Sequence, residues 1–251
     1  MRFSWRELQD DLALAVHAIG ARWIEVLPAL CVAALAWVLG EGLRYGESSA
    51  GFVHLVGLVA LVVAEAYVMR VFGPVVGRPV GEPRRSEVYL LWAALWTGWP
   101  VWLYMAVALV IDLTVANAVP SLQPRTAAGS ILSTALFAPA YVLATIQGWA
   151  FSYVAVDGAT ATDATANVLH AVNRTTFVRA VVIAVLLALV GMPFWFGLHG
   201  FAARFGPLPA AAASAVTYVV LYIVTYAVWV TTRPAVPAIT AVPYEASAAQ
   251  T

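Results

Sequence analysis

Lysine is absent from this chain: all thirteen of its basic side chains are arginines. Charge of either sign is scarce, at 10% of residues against about 25% in a soluble domain. With 63% hydrophobic residues and a mean hydropathy of +0.86, most of the surface is not built for water. The thirteen acidic residues balance the arginines, and a net charge of zero offers no field to gather nucleic acid, so no nucleic-acid partner is expected. Arginine in place of every lysine is the composition of a high-GC bacterial genome. Cysteine is nearly missing too. The single Cys31 excludes an internal disulfide, and Leu30 before it is a poor lipidation context, so it is expected to pack as a small hydrophobe. Four scattered histidines have no metal-ligand spacing, and H-E-x-x-H, G-x-S-x-G and phosphate-cradling glycine loops are lacking. No metal, no cofactor and no catalytic residue are therefore expected, and the chain reads as a non-enzyme.

What is present is apolar length. A run near twenty residues crosses ~30 Å of hydrocarbon at ~1.5 Å per residue. About six occur, at residues 23–39, 51–69, 88–111, 127–156, 178–199 and 208–232. In lipid every backbone group must find its partner internally, so each is a helix. The fold class is all-α: a polytopic integral membrane bundle of about six spans with cytoplasmic amphipathic interfacial helices. Residues 1–232 form a single membrane domain, and the Pro- and Ala-rich 233–251 are a poorly ordered cytoplasmic tail. Glu7, Asp10 and Asp11 do not suit a cleaved leader, so the N-terminal stretch is expected to remain.

Arginines set the orientation. Six spans place Arg2, Arg6, Arg22, Arg70, Arg78, Arg84, Arg85, Arg174, Arg179 and Arg233 on one side, and only Arg44, Arg125 and Arg204 on the other. The expected location is the bacterial inner membrane with both termini cytoplasmic. Two segments on the arginine side are polar enough to lie at the interface. Residues 3–21 carry a stripe of Trp5, Leu8, Leu12, Val16 and Ile19. Residues 160–176 put Asp163, Asn167, His170 and Arg174 on one face and Ala161, Ala164, Val168, Ala171 and Val172 on the other, with Thr160 or Thr162 as the cap. That pattern predicts a helix lying apolar side down in the interface.

The passage "GWAFSYVAVDGATATDATANVLHAVNRTTFVRAVVIAVLLALV" combines a span, an Asp157-Gly158 turn, an Ala-rich helix from Ala164 to Arg174, and Phe177 with Arg179 opening the next span. It resembles a recurrent segment in the membrane domain of glycerophosphodiester phosphodiesterases and related bacterial inner-membrane proteins. The opening "SWRELQDDLALAVHAIGARWIEVLPALCVAAL" is similar to their N-terminal amphipathic helix. The resemblance implies fold and membrane residence, and it carries over no catalytic residue.

Ionisable residues within spans are the functional candidates, because burying them is costly. Glu65 is foremost. Antiparallel spans one and two would bring Arg22 toward Glu65 and Glu25 toward Arg70, so these four are read as a crosswise ion-pair cluster or a binding site. His54, Asp112 and His199 fall near the opposite ends of the spans and read as interfacial. On span four, Ala140, Ala144, Gly148 and Ser152 recur every fourth residue, a small-residue stripe that serves either core packing or homodimerisation. Tyr218, Tyr222, Tyr226 and Trp229 share a face of span six, and Trp92, Trp96 and Trp99 a face of span three. Beside the lipid bilayer, a protein partner or second copy would dock through span four or the cytoplasmic helices. The expected role is a membrane-embedded scaffold or accessory module; the alternative is a small-solute or lipid transporter using Glu65.

Overall fold

The computed structural model describes residues 3–42, 50–78, 80–81, 84–123, 126–205 and 207–234. Seven α-helices occur among them: α1 (Trp5–Gly42), α2 (Ala50–Val75), α3 (Glu87–Ala118), α4 (Ala127–Asp157), α5 (Ala161–Ala171), α6 (Arg174–Phe205) and α7 (Pro207–Thr232). No strand occurs among the described residues, as expected of an all-α protein. Within α1, α3, α4, α6 and α7, the segments Trp5–Leu35, Glu87–Ala118, Ala128–Asp157, Arg174–Gly191 and Ala215–Thr232 are long and apolar enough to cross a bilayer.

Helix ends are set by local chemistry. Ser86, Thr126 and Thr160 each accept a backbone N–H of the first turn, capping α3, α4 and α5. Asn173 does the same for α6, its side-chain oxygen accepting from the Thr175 and Thr176 N–H groups at 2.9 and 3.0 Å. Gly158 closes α4 at φ +71°, a left-handed position that a Cβ would strain.

Two expected boundaries move. The N-terminal helix and first span are one uninterrupted helix, α1, because nothing between them breaks it. Gly20 costs only about 1 kcal/mol relative to alanine, too little to end a helix held by its flanks. The helix expected over 160–176 ends at Ala171, and Arg174 opens α6 instead, because the Asn173 cap nucleates the next helix there.

Helix α1 packs between α2 and α7, while α4 sits centrally against α2, α3, α6 and α7. The last turns of α4 form the hub: every residue from Gly148 to Val156 is buried. Around it lie Val68, Met69 and Phe72 of α2, Leu90 of α3, and Ala227, Val228 and Val230 of α7. The α5 face made by Ala161, Ala164 and Val168 is fully buried in this same core, against α3 and α4. That face covers protein rather than lipid. On α1, Leu8, Ala15 and Ala18 are buried, whereas Trp5 and Val16 of the expected stripe are exposed. Cys31 is exposed as well, not packed.

The outside is as apolar as the inside. Helix α3 exposes Trp92, Leu95, Trp96, Trp99, Trp102 and Leu103. Such a continuous apolar surface would aggregate in water and is unremarkable in lipid.

Candidate functional site

Glu65 lies on α2 facing α7. Its partly buried carboxyl is hydrogen-bonded to the Tyr226 hydroxyl. Tyr226 belongs to the aromatic face expected from the sequence: Tyr218, Tyr222, Tyr226 and Trp229 meet in succession, the last two pairs edge to face, with centroids 5.8, 4.3 and 5.2 Å apart. Tyr222 donates across to the Leu61 carbonyl of α2 at 2.9 Å. The aromatic face of α7 is thus pinned to α2 by phenol hydroxyls at two levels.

The crosswise cluster of Arg22, Glu25, Glu65 and Arg70 does not form. Arg22 pairs with Glu25 on its own helix, and both are exposed. The α1–α2 contact near Glu25 runs instead through Tyr67, whose hydroxyl donates to the Glu25 carbonyl at 3.1 Å. The physical reason lies with α7: it packs against both α1 and α2 and presents Tyr226 to Glu65. A phenol is far cheaper to desolvate than a guanidinium, so it is the better partner within a span.

Arg70 is the centre of a second cluster. It is only 6% exposed, and its three nitrogens are all satisfied: Nε donates to the Ala155 carbonyl (3.0 Å), Nη1 to Glu87 Oε1 (3.1 Å) and Nη2 to the Arg85 carbonyl (2.9 Å). One side chain therefore holds the ends of α2, α3 and α4 together. Arg85 continues the lattice, donating to the Gly158 carbonyl at 2.7 Å while its guanidinium lies 5.0 Å from the Tyr89 ring centroid. The Tyr89 hydroxyl accepts the Ala161 N–H at 2.8 Å and so seats the start of α5. The Gly81 N–H donates to Val156 at 2.7 Å, laying the loop after α2 on the last turn of α4.

Arg233 closes the cluster from the end of α7. It is 3% exposed, donates to Asp157 Oδ1 at 2.6 Å and to Ser152 Oγ at 3.4 Å, and stands 4.3 Å over the Tyr153 ring. The tail expected to begin at residue 233 therefore starts no earlier than residue 235, which lies outside the described residues, as do the side chains of His54 and His199. Trp149 Nε1 donates to Thr232 Oγ1 at 3.1 Å just beneath. Arg78, in the loop beyond α2, is half-buried near Arg233, Tyr153 and Asp157. Burial first, and then the Arg233 charge, hold its guanidinium below the usual arginine range. A separate ion pair joins Arg179 of α6 to Asp11 of α1.

The small-residue stripe is used within the chain along part of its length. A Cβ at Gly148 would collide with the Trp229 ring of α7, and Ser152 meets Arg233. Ala140 and Ala144 line an open groove of about 600 Å³ with Val101, Trp102 and Met105 of α3. Nearer the far end of these helices, Asp112 is buried and accepts from Ser133 Oγ at 2.7 Å, so it is an interhelical partner rather than a surface residue. Among the described residues no group of His, Cys, Asp and Glu could hold a metal ion.

Sequence reasoning missed the roles of Arg85, Asp157 and Arg233. The available signals were the Asp157-Gly158 turn and an arginine directly after the last apolar run, which together place opposite charges at two adjacent helix ends.

Long apolar helices, an apolar exterior and a polar, arginine-bound end define a multi-pass helical membrane protein. Comparison with protein-family models, with curated proteins and with solved structures gives no match to this chain.

Proposed function

We propose that this chain is a six-span, non-enzymatic inner-membrane protein that serves as a membrane-embedded scaffold or accessory module, with its arginine-rich end and both termini in the cytoplasm. The observation that carries this reading is how the polar groups are spent. Arg70, Arg85 and Arg233 are committed to carbonyls and carboxylates that tie helix ends together, and Glu65 is committed to Tyr226. Helix α2, with 26 residues, counts as the sixth span. A transporter using Glu65 is the rival. Two open grooves among the described residues lie between α3 and α4 and between α4 and α6, and neither is lined by Glu65.

Two measurements test this. A reporter fused after Thr251 is expected to be active only in the cytoplasm, following the arginine bias. In membranes, Glu65 is expected to resist a water-soluble carbodiimide. Labelling of Glu65 that a solute blocks would establish transport instead.

A further inference from the structure

We infer that the arginine-bound end of the bundle contains a site for a phosphate group, centred on Arg78 and Arg233, that takes either an anionic phospholipid headgroup or free phosphate.

The inference starts from a shortage of acceptors. Five arginines converge here, Arg70, Arg78, Arg84, Arg85 and Arg233, against two carboxylates, Glu87 and Asp157. Glu87 is taken by Arg70 and Asp157 by Arg233. Arg78 is held close enough to Arg233 for the two positive charges to oppose each other, and although its backbone N–H donates to the Gly73 carbonyl at 2.8 Å, no described residue accepts from its guanidinium. Two guanidiniums thus share the single carboxylate of Asp157.

Arg233 supplies the second, independent observation. Its Nε is buried and has no acceptor among the described residues, although the residue is only 3% exposed and its guanidinium is fixed over the Tyr153 ring. Buried donors are nearly always satisfied, so an orphaned nitrogen in a cationic cluster marks a missing acceptor. An anion with several oxygens answers both deficits. Arginine forks match both carboxylate and phosphate bidentately, and a phosphate brings oxygens enough for two guanidiniums at once. The cluster sits where the apolar helices end, which is the level of the phosphodiester layer of a bilayer. The lipid source rests on the membrane reading; free phosphate does not, so failure of one is distinguishable from failure of the other.

The test uses the full-length chain in nanodiscs of phosphatidylcholine with phosphatidylglycerol, released into native mass spectrometry, alongside a phosphate titration of the thermal transition in neutral detergent. The wild type is expected to retain a phosphatidylglycerol adduct or to be stabilised by phosphate. Arg78→Gln is expected to weaken that binding about tenfold, since it removes a charge-assisted contact. Arg174→Gln, an exposed arginine at the start of α6, is expected to leave it unchanged. Arg78→Lys keeps the charge without the fork; its intermediate loss supports the site even where the glutamine variant does not fold. An adduct with no phosphate effect assigns the headgroup, and phosphate stabilisation with no adduct assigns the free ion. The proposal is overturned if the wild type binds neither, if Arg78→Gln or Arg78→Lys binds as the wild type does, or if Arg174→Gln loses as much as Arg78→Gln.

Discussion

Glu65 shows how a single partner changes the meaning of a charged residue on an apolar helix. Paired with an arginine, it would depend on its charge. Hydrogen-bonded to the Tyr226 hydroxyl, it depends on having an oxygen at the right place. Glu65→Gln preserves that oxygen, so its effect on the detergent-solubilised melting temperature is expected to be small. Tyr226→Phe removes the donor at the same contact and should cost on the order of 1 kcal/mol. Equal and large losses for the two would restore the charge-based account. The existence of Glu65 as an acid within an apolar helix was legible in the sequence. Its partner was not, because helical periodicity puts Glu65 on a face of α2 without saying which helix lies opposite.

Among the elements, α4 carries the greatest load. Its last turns are enclosed by α2, α3 and α7, and the approach of α7 depends on the missing side chain at Gly148. Gly148→Leu must displace the Trp229 ring, and overpacking of that kind costs about 1–3 kcal/mol. The expected result is a lower melting temperature, with recovery when Trp229→Ala is added to make room. No recovery would mean that the stripe packs against something other than α7. The four-residue period of small side chains was readable, since it is a local pattern. Its division between α7 at Gly148 and the α3 groove at Ala140 and Ala144 follows from how helices cross, which is a property of pairs. The α5 helix teaches the same lesson. Ala161, Ala164 and Val168 of its expected apolar face are buried, yet an apolar face suits a lipid surface and a protein core equally well.

At the scale of the whole molecule, Arg70, Arg78, Arg84, Arg85 and Arg233 cluster around one set of helix termini, Arg179 pairs separately with Asp11, and Arg204 lies in the last turn of α6 at its far end. Arg233 is the last arginine of that lattice, and the Pro234 carbonyl after it accepts from the Tyr153 hydroxyl. Truncation after Pro234 is expected to leave the melting temperature unchanged. Truncation after Thr232 removes the Arg233 contacts to Asp157 and Ser152 and should cost on the order of 3 kcal/mol. If the two truncations behave alike, Arg233 is a bystander. The sequence by itself determined that the chain is a bundle of long apolar helices in lipid, because composition and run length depend on no partner. It also determined which helix ends share a side, because arginines count independently of one another. Only the tertiary structure decided that those arginines are bolts between helix ends, that Glu65 belongs to a tyrosine, and that α5 is part of the core. Each of these depends on which residues distant in the chain come to lie side by side.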